Sequence, residues 1–397
     1  MPARNAALIS KRAAGLPGNP FAEADARAAA AVAAGKDVID LSKGNPDGQP
    51  PAFVQDALAH AAHDPSLFRY PPFDGVPAFL ESIAGWYGRQ HGVTVDPATQ
   101  LLATSGSSVG IATVIQALID PGDTVVAVDP YYPQYEGSTA VAGGRFETIP
   151  AEADRGFLPD LDAVDPAVWT RAKLLILNYP NNPTGAAATP ELYGTAVRLA
   201  RQYGFVVLND FAYAGLEFAG ARSLSLLETP GALDVALELG SLSKMYMVAG
   251  WRGGFVAGNA EVLAAVKAVH RQTAVLASSV IQQAGAVALA SDQSTVAELA
   301  VQYQHRFDVV RDGLAGSGLE VAEAQGGLFA WARVPESFAR DGSAAFTDWL
   351  LNTAGVALMP GSCFGEAGEG WVRISLLKHT ADLYQAVARI RRALDAR

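Results

Sequence analysis

Three observations in the sequence predict an α/β protein with a mainly parallel sheet flanked by helices. First, short and nearly continuous apolar runs recur between about Leu101 and Gly258. They are Leu101-Leu102-Ala103-Thr104, Val125-Val126-Ala127-Val128, Leu174-Leu175-Ile176-Leu177, Phe205-Val206-Val207-Leu208 and Phe255-Val256-Ala257. Strands that lack polar alternation are buried on both faces. Second, helix-period stretches separate these runs, and alternating β and α segments give crossover-connected parallel strands. Third, 50% of the 397 residues are apolar, enough to fill two or three domain cores.

The elements follow in chain order. An alanine-rich stretch from Phe21 to Ala34 reads as a helix, and Val38-Ile39-Asp40-Leu41 reads as a short strand. That strand ends in Ser42-Lys43-Gly44-Asn45-Pro46-Asp47-Gly48, a cluster of turn residues. The run ending at Thr104 leads into Ser105-Gly106-Ser107-Ser108-Val109-Gly110 and then a helix. Its apolar positions Ile111, Val114, Ile115, Leu118 and Ile119 keep helical spacing until Pro121-Gly122-Asp123 stops it. After about Ala274 the alternation ends. One long helical stretch through Ile281 to Tyr303 is expected, followed by shorter strands and helices. The expected division is a large domain over 45–275 and a smaller α+β domain built from 1–44 and 276–397.

Composition narrows the function. A net charge of −11 argues against nucleic acid or an anionic membrane as partner. The segment from Met1 to Pro20 lacks the apolar core of a signal peptide, and no run of about eighteen apolar residues suggests a membrane span. The single cysteine, Cys363, excludes an internal disulfide. Six scattered histidines lack ligand spacing, so no metal site is expected. The default is a cytoplasmic protein.

The residues that carry chemistry stand at or near predicted strand ends, where α/β sheets bind ligands. Ser241-Leu242-Ser243-Lys244, followed by Gly250-Trp251-Arg252-Gly253-Gly254, offers an amine for a Schiff base with pyridoxal phosphate and an arginine for its phosphate. Ser107 and Ser108 open a helix after a glycine turn, a setting whose free N–H groups suit a phosphate. Asp210, in Asn209-Asp210-Phe211-Ala212-Tyr213, is a carboxylate able to keep a pyridine nitrogen protonated. Asn182 and Tyr213 are donors for a phenolic oxygen, and Tyr132 offers a ring that can stack. Each residue also has a plainer reading: a serine-capped helix, an Asn-Pro turn, a helix cap at Asp210, a core tyrosine. Cys363 reads as a small packing residue and Lys43 as a solvated loop lysine.

Taken together and in order, these strings resemble the fold-type I pyridoxal-phosphate aminotransferases of the class I/II family, over about Leu41 to Leu377. The resemblance implies a seven-stranded, mainly parallel sheet in the large domain, pyridoxal 5'-phosphate as cofactor, and ping-pong transfer of an amino group from an L-amino acid to a 2-oxo acid. It implies that Lys244 is the Schiff-base lysine and that Asp210 pairs with the pyridine nitrogen. Asn182 and Tyr213 then contact the phenolic oxygen, and Tyr132 stacks on the ring. Ser107, Ser108, Ser241 and Arg252 form the phosphate cup. Tyr70, five before Gly75, matches a tyrosine that reaches the neighbouring subunit's phosphate, which implies a homodimer. Arg373, in Val372-Arg373-Ile374-Ser375, matches the residue that grips the substrate α-carboxylate, with Gly44 and Asn182 beside it. Longer strings, such as Leu177 to Gly185 and Pro360 to Arg373, look closest to the branch acting on diaminopimelate and its N-acylated relatives. Lys43, Met245 and Met247 depart from the common pattern. The same constellation serves β-elimination (C–S lyase) chemistry, and a cofactor-sensing regulator is the reading from another class.

Overall fold

The computed structural model describes residues 8–274 and 276–397, so residues 1–7 of the expected small domain and residue 275 of the large one lie outside the described residues. After a helix over Pro20–Ala33, the chain forms a two-residue strand, β1 (Ile39–Asp40). Seven further strands make the central sheet: β2 (Leu101–Thr104), β3 (Thr124–Asp129), β4 (Arg145–Pro150), β5 (Ala172–Leu177), β6 (Val206–Asp210), β7 (Ala236–Ser241) and β8 (Gly254–Gly258). Their order is β2-β8-β7-β6-β5-β3-β4. The pairs from β7 through β4 are parallel, and β8 runs antiparallel to both its neighbours.

Alternate residues of these strands enter different cores. Leu102, Val125, Ala127, Leu174 and Ile176 pack with Ile111, Val114 and Ile115 of the helix Ser107–Leu118. Leu101, Ala103, Val126, Val128, Leu175 and Leu177 face the other, larger core. This double burial accounts for the unbroken apolar runs. Two sheet strands were not among those runs. Edge strand β4 exposes most of its polar residues. Strand β7 carries a buried charge, Glu238, inside Ala236–Ser241.

The C-terminal region contributes strands β9 (Glu320–Val321), β10 (Phe329–Arg333), β11 (Val356–Ala357), β12 (Met359–Pro360) and β13 (Trp371–Ser375). Four of them form an antiparallel sheet in the order β12-β13-β10-β9. Strand β1 pairs in parallel with β11, Ile39 opposite Val356, so the N-terminal segment joins C-terminal structure. The expected single helix through Ile281 to Tyr303 is instead two, Ser279–Ala290 and Ser294–Leu314. The break has a local cause. Gln293 is in the left-handed region (φ 65°), its Nε2 donates to the Ala288 and Ser291 carbonyls at 3.0 Å, and Asp292 accepts from the Ser294 N–H at 3.0 Å. Helix ends satisfied in this way do not continue. Among the described residues no helix is long and apolar enough to cross a membrane.

Candidate active site

The C-terminal ends of β2, β3, β5, β6 and β7 lie along one edge of the sheet, and antiparallel β8 begins there. Thr104 and Ser241 both pair with Gly254, which fixes the loops after β2 and β7 beside the turn before β8. Above this edge is a cavity of about 340 Å³. Lys244, Asp210, Tyr213, Tyr132 and Asn182 line it, as do Ser107, Ser108, Ser241 and Arg252. Arg373 and Gly44 approach from the C- and N-terminal segments. Tyr70 does not reach it: the residue is 96% exposed, near the less exposed but still outward-facing Phe68 and Phe73.

At one end the backbone is tightly packed. Gly106 (φ 87°) caps the helix that starts at Ser107, and a side chain there would begin 2.6 Å from the Arg252 guanidinium. A Cβ at Gly254 would meet the Ser107 nitrogen and the Gly240 oxygen at 2.9 Å each. Only glycine lets these three segments converge. The result is a helix N-terminus, with its free N–H groups, beside the Ser241 hydroxyl and an arginine, which is a fitting receptor for a phosphate dianion. Gln134 Nε2 donates to the Ser108 carbonyl at 2.6 Å and steadies the first turn.

In the middle of the cavity, Asp210 is buried at the end of β6. Tyr135 donates its hydroxyl to Asp210 Oδ2 at 2.8 Å, and Asn178 Nδ2 donates to the Asp210 carbonyl at 2.7 Å. Oδ1 is buried without a hydrogen-bond partner among the described residues. Burial raises the carboxyl pKa from 3.8 to about 6, against the opposing Tyr135 hydrogen bond. A lone acceptor oxygen on a desolvated carboxylate fits a protonated ring nitrogen, since such a pair is worth most where water is excluded. Tyr132 packs over this region, with its ring centroid 5.7 Å from Tyr135 and 5.9 Å from Phe21.

Lys244 sits on a short helix after β7 and donates Nζ to the Gly44 carbonyl at 2.5 Å. Burial, then the charges of Arg373 and Arg252, push its amine down to about 8. An amine in that range is neutral about one time in ten at pH 7, far more often than an ordinary lysine, which helps a nucleophile or base.

Arg373 is 1% exposed. It donates to Asn182 Oδ1 at 3.0 Å and to the Ser42 carbonyl at 2.7 Å, and its Nε lacks a partner among the described residues. Phe329, Phe364 and Phe21 surround the guanidinium, with ring centroids at 4.0, 4.9 and 5.4 Å. Burial lowers its pKa to about 10, so the cation is poorly solvated and suited to a carboxylate. Asn182 is itself oriented by its N–H to Asn178 Oδ1 at 2.9 Å.

Lys43 lines the mouth of the cavity, 3.3 Å from Asp40 and 3.6 Å from Asp25, chiefly Asp40 raising its pKa. Two carboxylates already neutralise it, in keeping with a solvated loop lysine. Cys363 is free, and burial raises its thiol pKa, the opposite of what a nucleophile needs. Sequence reasoning missed Tyr135, Phe21, Phe329 and Ser42. Tyr135 had a usable signal, standing three residues after Tyr132 in the first turn of the helix Gln134–Ala142. Ser42 acts through its carbonyl, which no side-chain pattern reports.

A phosphate cradle, a buried carboxylate, a depressed lysine and a desolvated arginine in one cavity define an enzyme of pyridoxal phosphate chemistry acting on amino acids. The profile of the Aminotransferase class I and II family matches residues 36–390. The chain is 40% identical to an LL-diaminopimelate aminotransferase of Syntrophobacter fumaroxidans, covering 95% of this chain and 96% of that one. It is 39% identical to the L-glutamine–4-(methylsulfanyl)-2-oxobutanoate aminotransferase of Bacillus subtilis, over 90% and 89% of the two chains. A solved structure of a probable N-succinyldiaminopimelate aminotransferase from Thermus thermophilus superposes with a TM-score of 0.89 at 36% identity, covering 94% of this chain and 100% of that one. The chain belongs to the class I and II aminotransferases: it is a pyridoxal-phosphate-dependent transaminase with the α/β fold expected from its sequence. The relatives named are transaminases, which favours amino transfer over β-elimination.

Proposed function

We propose that this enzyme moves the amino group of an L-amino acid to a 2-oxo acid, each held by its α-carboxylate on Arg373. The physiological pair then belongs to diaminopimelate and lysine metabolism or to general amino-acid metabolism. The observation that carries the reading is the convergence of Lys244, Asp210 and Arg373 on one cavity, each with its ionisation shifted by burial. The names of the relatives support both substrate classes.

When bound, pyridoxal phosphate supplies an electrophilic carbon and an electron sink for the substrate's Cα–H bond. The chain supplies the rest. Ser107, Ser108, Ser241 and Arg252 would hold the phosphate, and Tyr132 would cover the ring. Asp210 would keep the ring nitrogen charged, while Asn182 and Tyr213 would attend the phenolic oxygen. Lys244 would anchor the cofactor and serve as the base for the proton on the substrate α-carbon. Arg373, with Asn182 and the Gly44 loop, would orient the substrate by its carboxylate. Ping-pong kinetics would follow because the enzyme would retain the amino group after the first oxo acid leaves and pass it to the second substrate at the same carboxylate site.

A panel of amino donors that includes LL-diaminopimelate and glutamine, assayed against 2-oxoglutarate and pyruvate, tests the reading. Parallel lines in double-reciprocal plots are expected. Release of ammonia and pyruvate from cystathionine without an oxo acid would point to elimination instead. Replacing Arg373 with lysine keeps the charge and removes the fork, at a cost of about 2–3 kcal/mol. Steady-state KM should rise roughly a hundredfold for donor and acceptor alike, with kcat much less affected.

We also propose a cytoplasmic homodimer with 45–275 as its large domain and 1–44 with 276–397 as its small one. The exposed run Phe68, Tyr70 and Phe73 supports the dimer: such aromatic surface is typical of an interface, and in a dimer Tyr70 is available to the partner's phosphate site. Sedimentation should give twice the chain mass, and Tyr70→Ala should weaken cofactor retention. A chain sedimenting as a monomer in the active enzyme would remove this proposal.

A further inference from the structure

We infer that Asp47 and Arg306 form a positioning pair that sets the substrate-carboxylate site from behind. The inference rests on Arg373 being the carboxylate anchor. Arg306 lies on the helix Ser294–Leu314, is 3% exposed and is not among the residues that line the cavity. Its Nη1 and Nη2 bond Asp47 Oδ1 and Oδ2, both at 3.0 Å, and Nη1 also donates to the Leu376 carbonyl at 3.0 Å. A planar fork closing on both carboxylate oxygens fixes orientation as well as distance.

What the pair fixes is the segment 41–48, which runs between the two halves of the site. Asp47 is three residues after Gly44, whose carbonyl receives Lys244 Nζ. Ser42, on the same segment, gives its carbonyl to Arg373. Leu376 is three residues after Arg373, and the Ser375 N–H donates to the Leu41 carbonyl at 2.9 Å. Arg306 therefore clamps the loop and the strand that jointly present the carboxylate anchor. Tyr303 completes the clamp: its hydroxyl is 3.4 Å from Asp47 and 3.8 Å from Met247 Sδ, three residues after Lys244. The ion pair thus ties the Gly44 loop to the segment after Arg373, and Tyr303 links the same carboxylate to the segment after Lys244.

The test uses the holoenzyme and maleate, a dicarboxylate that carries no amino group to transfer. Calorimetric titration gives its Kd for wild type, Asp47→Asn, Arg306→Lys and Arg373→Lys. Both Asp47→Asn and Arg306→Lys should raise the Kd about tenfold, because a displaced anchor loses alignment rather than charge. Donor and acceptor KM should rise by a similar factor, with kcat within about threefold of wild type. An unchanged Kd in both variants while Arg373→Lys weakens binding overturns the positioning role and leaves the site assignment intact. A drop in thermal midpoint with kcat lost and KM unaltered overturns it as well, showing a purely structural pair. Unweakened binding in Arg373→Lys would instead overturn the carboxylate assignment on which the inference rests.

Discussion

Lys244→Ala lowers kcat/KM for amino transfer by at least about 10⁴-fold, since it removes both the covalent anchor and the acid–base group. Among the described residues lining the cavity no other amine is placed to substitute: Lys43 is paired with Asp40 and Asp25. Arg373 stays protonated at working pH and cannot act as a base, and Asp210, which lines the cavity, already has Tyr135 on one oxygen. Without the cofactor the folded chain should become more stable, by up to about 3 kcal/mol at neutral pH, because the burial that lowers the amine from 10.5 to about 8 disfavours the charged lysine in the folded state. Lys244→Arg keeps the positive charge but holds it permanently, so it should be as inactive as the alanine variant. Activity retained by the arginine variant would mean that charge, not proton transfer, is the lysine's contribution. Initial rates with a saturating donor, alongside chemical unfolding of each variant, decide the point.

How much of this was legible in the sequence follows from where each constraint resides. Lys244 and Asp210 could be singled out because their chemistry demands a residue type at or just after a strand end, whereas Arg373, in the middle of β13, was reached only through the family resemblance. The buried strands were legible because double burial forbids polar alternation. Strand β4 was not, because as an edge it presents Arg145, Thr148 and Pro150 to solvent, as a loop would. Strand β7 was blurred by Glu238. That carboxyl is tolerated only because Tyr87, Ser225, Asn209 and the Leu226 N–H all donate to it. Tyr87 lies 151 residues away in sequence, so no local pattern could announce the partnership. The same limit applied to Ser42 and Arg306, whose roles are set by backbone carbonyls and by a partner more than two hundred residues distant. The helix break at Gln293 was different. Ser291-Asp292-Gln293-Ser294 carries a readable turn signal, with Asp292 placed to accept from the Ser294 N–H.

Asp210→Asn should have opposite effects with and without the cofactor, and the sign of each follows from one burial. Without the cofactor, the folded chain pays to keep a desolvated carboxylate, which is why the pKa rises from 3.8 to about 6. A carboxyl with a raised folded pKa binds its proton more tightly in the folded state. It therefore stabilises least above that pKa, and the loss develops as pH climbs from about 4 to 6. At pH 7 the wild-type penalty amounts to about 3 kcal/mol. Asparagine carries no charge to desolvate and its side-chain oxygen still accepts from Tyr135, so the cofactor-free variant should be more stable than wild type by up to that amount at pH 7. The difference should vanish near pH 4. With the cofactor bound the order reverses. The ring nitrogen loses its anionic partner, the electron sink weakens, and both cofactor affinity and kcat should fall about 10²–10³-fold. Urea unfolding of the cofactor-free proteins at pH 4 and 7, with cofactor Kd and kcat for the same pair, measures both arms. Equal stability of the two cofactor-free proteins at pH 7 would mean that Asp210 is not held as a desolvated carboxylate, and the reason for assigning it to the ring nitrogen would go with it.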